Sequence, residues 1–100
     1  MSINCGYSNS VLITCDTAKR DATLAERGLD FADAVAVFAG LTFDWRDDRA
    51  DYGEVRWVTV GHLTGRMVVV VWTARGESRH VISMRKANDR EQARFRNRLE

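Results

Sequence analysis

The chain of 100 residues is 45% hydrophobic and contains no proline, which fits one compact domain over residues 1–100 and excludes a second core. Its longest apolar run, at residues 67–72, is far too short to cross a bilayer. The two cysteines, Cys5 and Cys15, do not have the pattern of a disulfide framework. These features predict a soluble, cytoplasmic protein.

Charge is divided unevenly along the chain. Residues 1–50 hold five Lys and Arg against eight Asp and Glu, whereas residues 51–100 hold ten against six. A basic surface formed by the second half is therefore a candidate for contact with phosphate, although most charged side chains only solvate a surface.

The N-terminal part predicts a short strand followed by a helix. Residues 1–10 lack the basic start and apolar core of a signal peptide and form a candidate disordered lead segment. Residues 11–13 are apolar and suggest a strand. The following helix has Asp16 as its cap and ends at Gly28, because glycine accepts the left-handed conformation found just past a helix end.

A second helix is predicted to begin at Asp30 and to end at Gly40. Its apolar residues follow helical spacing, so we expect this helix to pack on the core. These residues are Phe31, Ala34, Val35 and Phe38.

The second half predicts mainly strands. Residues 41–53 begin apolar and become acidic, which indicates a strand that runs into an exposed loop. Residues 55–60, 66–73 and 79–84 are rich in β-branched and aromatic side chains and are separated by turns that contain glycine, so they predict an antiparallel meander. Residues 66–73 lack polar alternation and are expected to form the central strand.

The chain is predicted to finish with a helix. Asn88 and Glu91 have the spacing of a capping box, with Phe95 and Leu99 facing inward and arginines facing outward. The predicted fold class is therefore α+β, with N-terminal helices and a C-terminal helix packed on an antiparallel sheet of three to four strands.

Three segments together resemble a known family. They are CDTAKRDATLAERGLDFADAVAVF at 15–38, YGEVRWVTVGH at 52–62 and VISMRKANDRE at 81–91. In this order the chain resembles the BrnT family of type II toxins, ribonucleases with a RelE-like fold. The resemblance implies an RNA substrate, inhibition of translation and a BrnA-like antitoxin, with two toxins and two antitoxins in the complex. It implies contact with DNA only through the antitoxin.

Several residues depart from the family pattern: Cys15, Thr23, Glu26, Arg27 and His62. These departures leave a second function open, in which the chain has lost catalysis and acts as the binding partner of a DNA-binding antitoxin. A third hypothesis is an RNA-binding protein without turnover.

Metal-independent cleavage of RNA needs a base for the ribose 2′-hydroxyl, cations for the phosphate and a proton donor. The resemblance points to Arg56 and Arg85 as the main cations, and a guanidinium binds two phosphate oxygens at once. His62 is a candidate acid or base because imidazole titrates near neutral pH. Lys19 is a further candidate cation or proton donor. Glu54 is a candidate base or a group that holds Arg56.

Further candidates for contact with RNA are Arg27, Lys86, Arg79 and Trp45. Each candidate also has a structural alternative, since strand arginines commonly form ion pairs and tryptophans commonly belong to the core. His80 is interpreted as a solvated strand residue. The cysteines and histidines lack the spacing of a metal site, and we predict neither a metal nor another cofactor.

Overall fold

The computed structural model describes residues 1–49 and 51–99. Its strands are β1 Ser2–Ser8, β2 Val11–Asp16, β3 Phe43–Asp47, β4 Arg56–Leu63, β5 Arg66–Arg75 and β6 Ser78–Lys86. Its helices are α1 Thr17–Arg27, α2 Ala34–Ala39 and α3 Asp89–Phe95, with 3₁₀ turns at Phe31–Asp33 and Arg96–Arg98. Within these described ranges, no helix has the length and apolarity needed to span a membrane.

The α+β class is confirmed, but the predicted sheet is too small and lacks a parallel pair. Six strands form one mixed sheet in the order β1-β2-β6-β5-β4-β3. The meander of β4, β5 and β6 is antiparallel as predicted, whereas β2 pairs with β6 in parallel, with Cys15 beside Val81. Residues 2–8, predicted as a candidate disordered lead, instead form β1 and pair with β2.

The predicted helix signals are confirmed at the N-terminal helices. Asp16 accepts a hydrogen bond from the Lys19 backbone N–H at 3.0 Å, and Gly28 has a left-handed φ of 68°. Asp30 caps the next turn by accepting from the Ala32 backbone N–H at 2.9 Å. α1 buries none of its residues, so the caps and side-chain bonds at its ends fix its position.

The sheet has two faces, each with its own core. On the α2 face, α2 and the preceding turn pack against β2, β5 and β6, and Phe31, Ala34 and Phe38 are buried as predicted. On the α3 face, α3 packs against β4 and β5. β5 is buried on both faces, which confirms it as a central strand.

α3 begins at the predicted capping box, with both reciprocal hydrogen bonds between Asn88 and Glu91 present. Phe95 and Leu99 are buried against Val60 and its neighbours. This helix covers the end of the α3 face near the β4–β5 turn.

Candidate functional site

A row of polar side chains crosses the end of the α3 face that lies away from α3. Strand pairing places one residue on each of five neighbouring strands, namely Thr14, His80, Thr73, Arg56 and Asp47. All of them except Arg56 are buried. The row therefore brings an imidazole, a guanidinium, a carboxylate and two hydroxyls to one side of the sheet, where Arg56 is the member that is partly exposed.

The Arg56 guanidinium is held in place and is partly exposed. Its Nε is buried and has no hydrogen-bond partner within the described part of the chain. The guanidinium lies over the Tyr52 ring, 4.0 Å from the centroid, and Glu54 Oε1 is 3.7 Å from Nε, beyond hydrogen-bond distance. The side chain is 27% exposed, and a guanidinium fixed over an aromatic ring at such a position is suited to bind phosphate oxygens.

Asp47 anchors the loop that follows β3. Its carboxylate accepts hydrogen bonds from Arg49 Nε and Nη2 at 2.8 and 2.9 Å, and from the Tyr52 hydroxyl at 3.2 Å. The hydrogen bonds from Arg49 lower the pKa of Asp47 to about 2 although the carboxylate is buried. The loop predicted as exposed and acidic is thus held against Arg56 through Tyr52. Ala50 of that loop lies outside the described residues.

His80 is only 6% exposed, so its interpretation as a solvated residue is wrong. Its Nδ1 lies 2.8 Å from Thr14 Oγ1. Burial lowers the pKa of His80, and the positive charge of Arg75 lowers it further. The imidazole is therefore mainly neutral near physiological pH and can accept a proton.

A cleft of about 550 Å³ separates the loop after β3 from α3. Its lining combines an apolar floor, a hydroxyl, an aromatic ring and three arginines matched by three carboxylates: Val58, Val69, Val71, Ser83, Trp45, Arg46, Arg49, Arg85, Asp47, Asp48 and Glu91. The Trp45 ring stacks on Phe95, with centroids 5.2 Å apart and planes inclined by 10°. An aromatic wall beside guanidinium groups can hold a nucleobase with its phosphate.

Arg85 lies on the α3 face but apart from Arg56. On β5, Arg56 pairs with Thr73 and Arg85 with Val69, which separates the two arginines by about 13 Å along the strand direction. Arg85 Nη1 and Nη2 donate to Glu91 at 2.7 and 2.8 Å. These hydrogen bonds raise the pKa of Arg85 and lower that of Glu91, so the charge of Arg85 is largely balanced.

Three of the predicted catalytic residues lie in the region of His80. Arg56 belongs to the same row, and the charges of Glu54 and Lys19 are close enough to act on the pKa of His80. His62 does not join them. It is exposed and lies farther along β4, about 20 Å from Arg56 at the usual rise of a strand.

The other predicted RNA contacts have structural roles or lie elsewhere. Arg27 Nη1 donates to the Met84 carbonyl at 3.0 Å, so it binds the β6 backbone. The Arg79 guanidinium lies 4.4 Å from the ring centroid of Trp72 on the α2 face. Lys86 is exposed at the end of β6. Only Trp45 of this group lines the cleft.

A family model for BrnT, described as the ribonuclease toxin of a type II toxin–antitoxin system, matches residues 16–91. The chain belongs to the BrnT family. The match includes α1, α2 and β3 to β6, and with them four residues of the polar row. Membership of a type II system implies a protein antitoxin as the partner of this BrnT chain. Comparison with curated proteins gives no match.

Proposed function

We propose that this BrnT protein is a metal-independent endoribonuclease that inhibits translation by cleaving RNA. The main support is the position of Arg56, whose guanidinium is partly exposed and held over Tyr52, in the same row as the neutral imidazole of His80. One group can bind the phosphate and the other can take a proton, which are two of the three requirements of cleavage by the ribose 2′-hydroxyl.

In the proposed reaction the 2′-oxygen attacks the adjacent phosphorus and its proton passes to His80 Nε2. Thr14 Oγ1 is hydrogen-bonded to Nδ1, so Nε2 is the nitrogen that takes the proton in this proposal. Arg56 stabilises the charge that develops on the phosphate, with Glu54 as the residue that orients it. The 5′-oxygen leaves with a proton from Lys19, and the product carries a 2′,3′-cyclic phosphate. The attacking and leaving oxygens thus exchange protons with different side chains.

The cleft beside the row is the proposed site for the neighbouring nucleotide. Trp45 offers an apolar wall, and Arg49 and Arg85 lie at the rim. Arg85 therefore acts in binding, since about 13 Å along the strands separates it from Arg56. We assign no role to His62 in this reaction.

The proposed partner in the cell is a BrnA-like antitoxin that covers the basic surface in a complex of two toxins and two antitoxins. Contact with DNA then occurs through the antitoxin alone. Cleavage of RNA in the cytoplasm removes templates for translation, so under this proposal the free toxin is expected to arrest growth.

The test uses purified protein, single-stranded RNA and an excess of EDTA. We expect cleavage to persist with the chelator and Arg56→Ala to lower its rate by about a hundredfold, the usual effect of removing one donor to a transition-state oxyanion. Arg66→Ala is the matched control, because Arg66 is an exposed strand arginine away from the row. Loss of cleavage in EDTA, or equal rates for the two variants, contradicts the mechanism.

The second function is a BrnT module that binds an antitoxin without cleaving RNA. It is favoured by the ion pairs of Arg49 with Asp47 and of Arg85 with Glu91, which balance two of the cations at the cleft. Induction of the chain without an antitoxin separates the two functions. Growth arrest by the parent but not by Arg56→Ala supports the ribonuclease, whereas normal growth with abundant folded protein supports the binding module.

A further inference from the structure

The two cysteines lie in direct contact, although the sequence gives no sign of it. Cys5 Sγ and Cys15 Sγ are 2.8 Å apart, and both thiols are free. β1 and β2 are antiparallel neighbours, and a register shift between Asn4 and Gly6 inserts Cys5 as an extra residue in β1. This bulge brings the Cys5 side chain to the same core as Cys15.

The contact lies outside the segment that matches the BrnT family, residues 16–91. Cys5 and Cys15 both belong to the N-terminal hairpin of β1 and β2, and their side chains lie on the α2 face of the sheet. The polar row lies on the opposite face. An inference about this pair is therefore independent of the proposed ribonuclease site.

The two thiols differ in accessibility. Cys15 is fully buried, whereas Cys5 is partly exposed and is the sulfur that a dissolved oxidant reaches first. Burial, together with the hydrogen bond to Cys5, raises the pKa of Cys15 to about 12. Cys15 thus remains a thiol until a neighbouring sulfur reacts.

We propose that Cys5 and Cys15 form a site of reversible oxidation, at which a peroxide converts the two thiols of the folded protein into an intramolecular disulfide. The Cys5 sulfur attacks one peroxide oxygen, giving a sulfenic acid and one water. The Cys15 sulfur then bonds to the Cys5 sulfur, and its proton leaves with the sulfenic hydroxyl as a second water. Two thiols and one hydrogen peroxide therefore give one disulfide and two waters, and a dithiol reductant reverses the oxidation.

The disulfide fastens the edge strand β1 to the rest of the sheet. Without it, the start of β1 is held by backbone pairing with β2, the Met1 ammonium on Asp16 at 3.0 Å and the Thr17 backbone N–H on the Met1 carbonyl at 2.9 Å. Closing the short loop between the cysteines restricts the unfolded chain, so the oxidised protein should melt about 10 °C higher than the reduced protein.

The experiment treats reduced, folded protein with hydrogen peroxide and follows its intact mass. We expect the loss of two hydrogen atoms per chain, a Cys5–Cys15 cross-link in peptide mapping of the monomer, the rise in melting temperature and its reversal by dithiothreitol. Two variants test the order of events. Cys15→Ser should stop at a Cys5 sulfenic acid that dimedone traps, and Cys5→Ser should leave Cys15 unmodified under the same conditions.

Three outcomes overturn the proposal: retention of both thiols by the wild-type protein, disulfides that form only between molecules, or oxidation of Cys15 in Cys5→Ser as fast as in the wild type. None of these measurements uses RNA. Failure of the ribonuclease proposal therefore leaves this test intact, and failure of this test leaves the ribonuclease proposal intact.

Discussion

Arg85 and Glu91 join the last strand of the sheet to the last helix through two hydrogen bonds of 2.7 and 2.8 Å. Glu91 Oε1 also accepts from the Asn88 backbone N–H at 3.0 Å, so one carboxylate serves the ion pair and the capping box together. α3 packs Phe95 onto the α3 face next to the cleft. The position of this cleft wall therefore depends on Glu91.

Glu91→Ala should consequently destabilise the protein more than Arg85→Ala. Loss of Glu91 removes a cap and an ion pair and should cost about 1–2 kcal/mol in free energy of unfolding. Loss of Arg85, whose side chain is 44% exposed, should cost about 0.5–1 kcal/mol because solvent screens the pair. Urea denaturation measures both, with the exposed Glu26→Ala as a control expected to stay near the wild type. A larger loss for Arg85→Ala contradicts this order.

Stability should fall on mild acidification because of His80. Its pKa in the folded protein is lowered, chiefly by burial, while the unfolded chain has the ordinary value of about 6.5. Below that pH the unfolded state binds the proton first, so the contribution of His80 is present above about pH 6.5 and declines until the folded pKa is reached. The pKa of Asp47, about 2, places its own effect at much lower pH.

The measurement compares free energies of unfolding at about pH 7.5 and about pH 5.5 for the wild type, His80→Gln and His62→Gln. The wild type should lose stability over this interval, and His62→Gln, which replaces an exposed histidine, is the control. His80→Gln should lose less over the same interval. An equal loss in all three proteins contradicts the role of His80.

Local signals in the sequence predicted the helix ends correctly, because each depends on residues a few positions apart. Asp16 and Asp30 cap helical turns, and Gly28 has the expected left-handed conformation. The parallel pairing of β2 with β6 joins residues more than sixty positions apart, such as Thr14 and His80. No local pattern specifies such a pair. The composition of β1 is largely polar and does not predict a strand either.

The sequence predicts Arg56 as a site residue but not His80, because a bulge in β6 changes which side chains face each side of the sheet. Regular alternation from Arg85 puts Arg79 on the same face and His80 on the other. The register shift opposite Val71 and Trp72 reverses this order, so His80 joins the α3 face and Arg79 packs over Trp72 on the α2 face. A bulge of this kind has no recognisable sequence pattern. The sequence therefore does not indicate that His80 is buried on the α3 face.

A methyl group at Gly61 should destabilise the folded protein. A Cβ at this position would lie 2.8 Å from Val37 Cγ1 and 3.2 Å from Thr42 Cγ2, where β4 passes beneath α2. Gly61→Ala should lower the free energy of unfolding by about 1–3 kcal/mol through overpacking. Gly40→Ala is the matched control, since its Cβ would meet nothing closer than 3.8 Å and its φ is −93°. Equal stability of the two variants in urea denaturation contradicts the packing argument.

Thr59 connects the α2-face core to β3 by a chain of two hydrogen bonds. Trp72 Nε1 donates to Thr59 Oγ1 at 2.8 Å, and Thr59 Oγ1 donates to Asp44 Oδ1 at 2.7 Å. Thr59 is 0% exposed and Trp72 is 8% exposed, so water does not replace the bond to the indole when the hydroxyl is removed, whereas the exposed Asp44 carboxylate can bind water.

Thr59→Val should therefore cost about 1–3 kcal/mol, because it keeps the volume of the side chain but leaves the Trp72 indole N–H buried without an acceptor. Thr59→Ser retains the hydroxyl and loses only a methyl group, so it should cost about 1 kcal/mol. Urea denaturation followed by tryptophan fluorescence measures both variants. If Thr59→Val is as stable as Thr59→Ser, the hydroxyl contributes nothing beyond its packing, and the indole must find another acceptor.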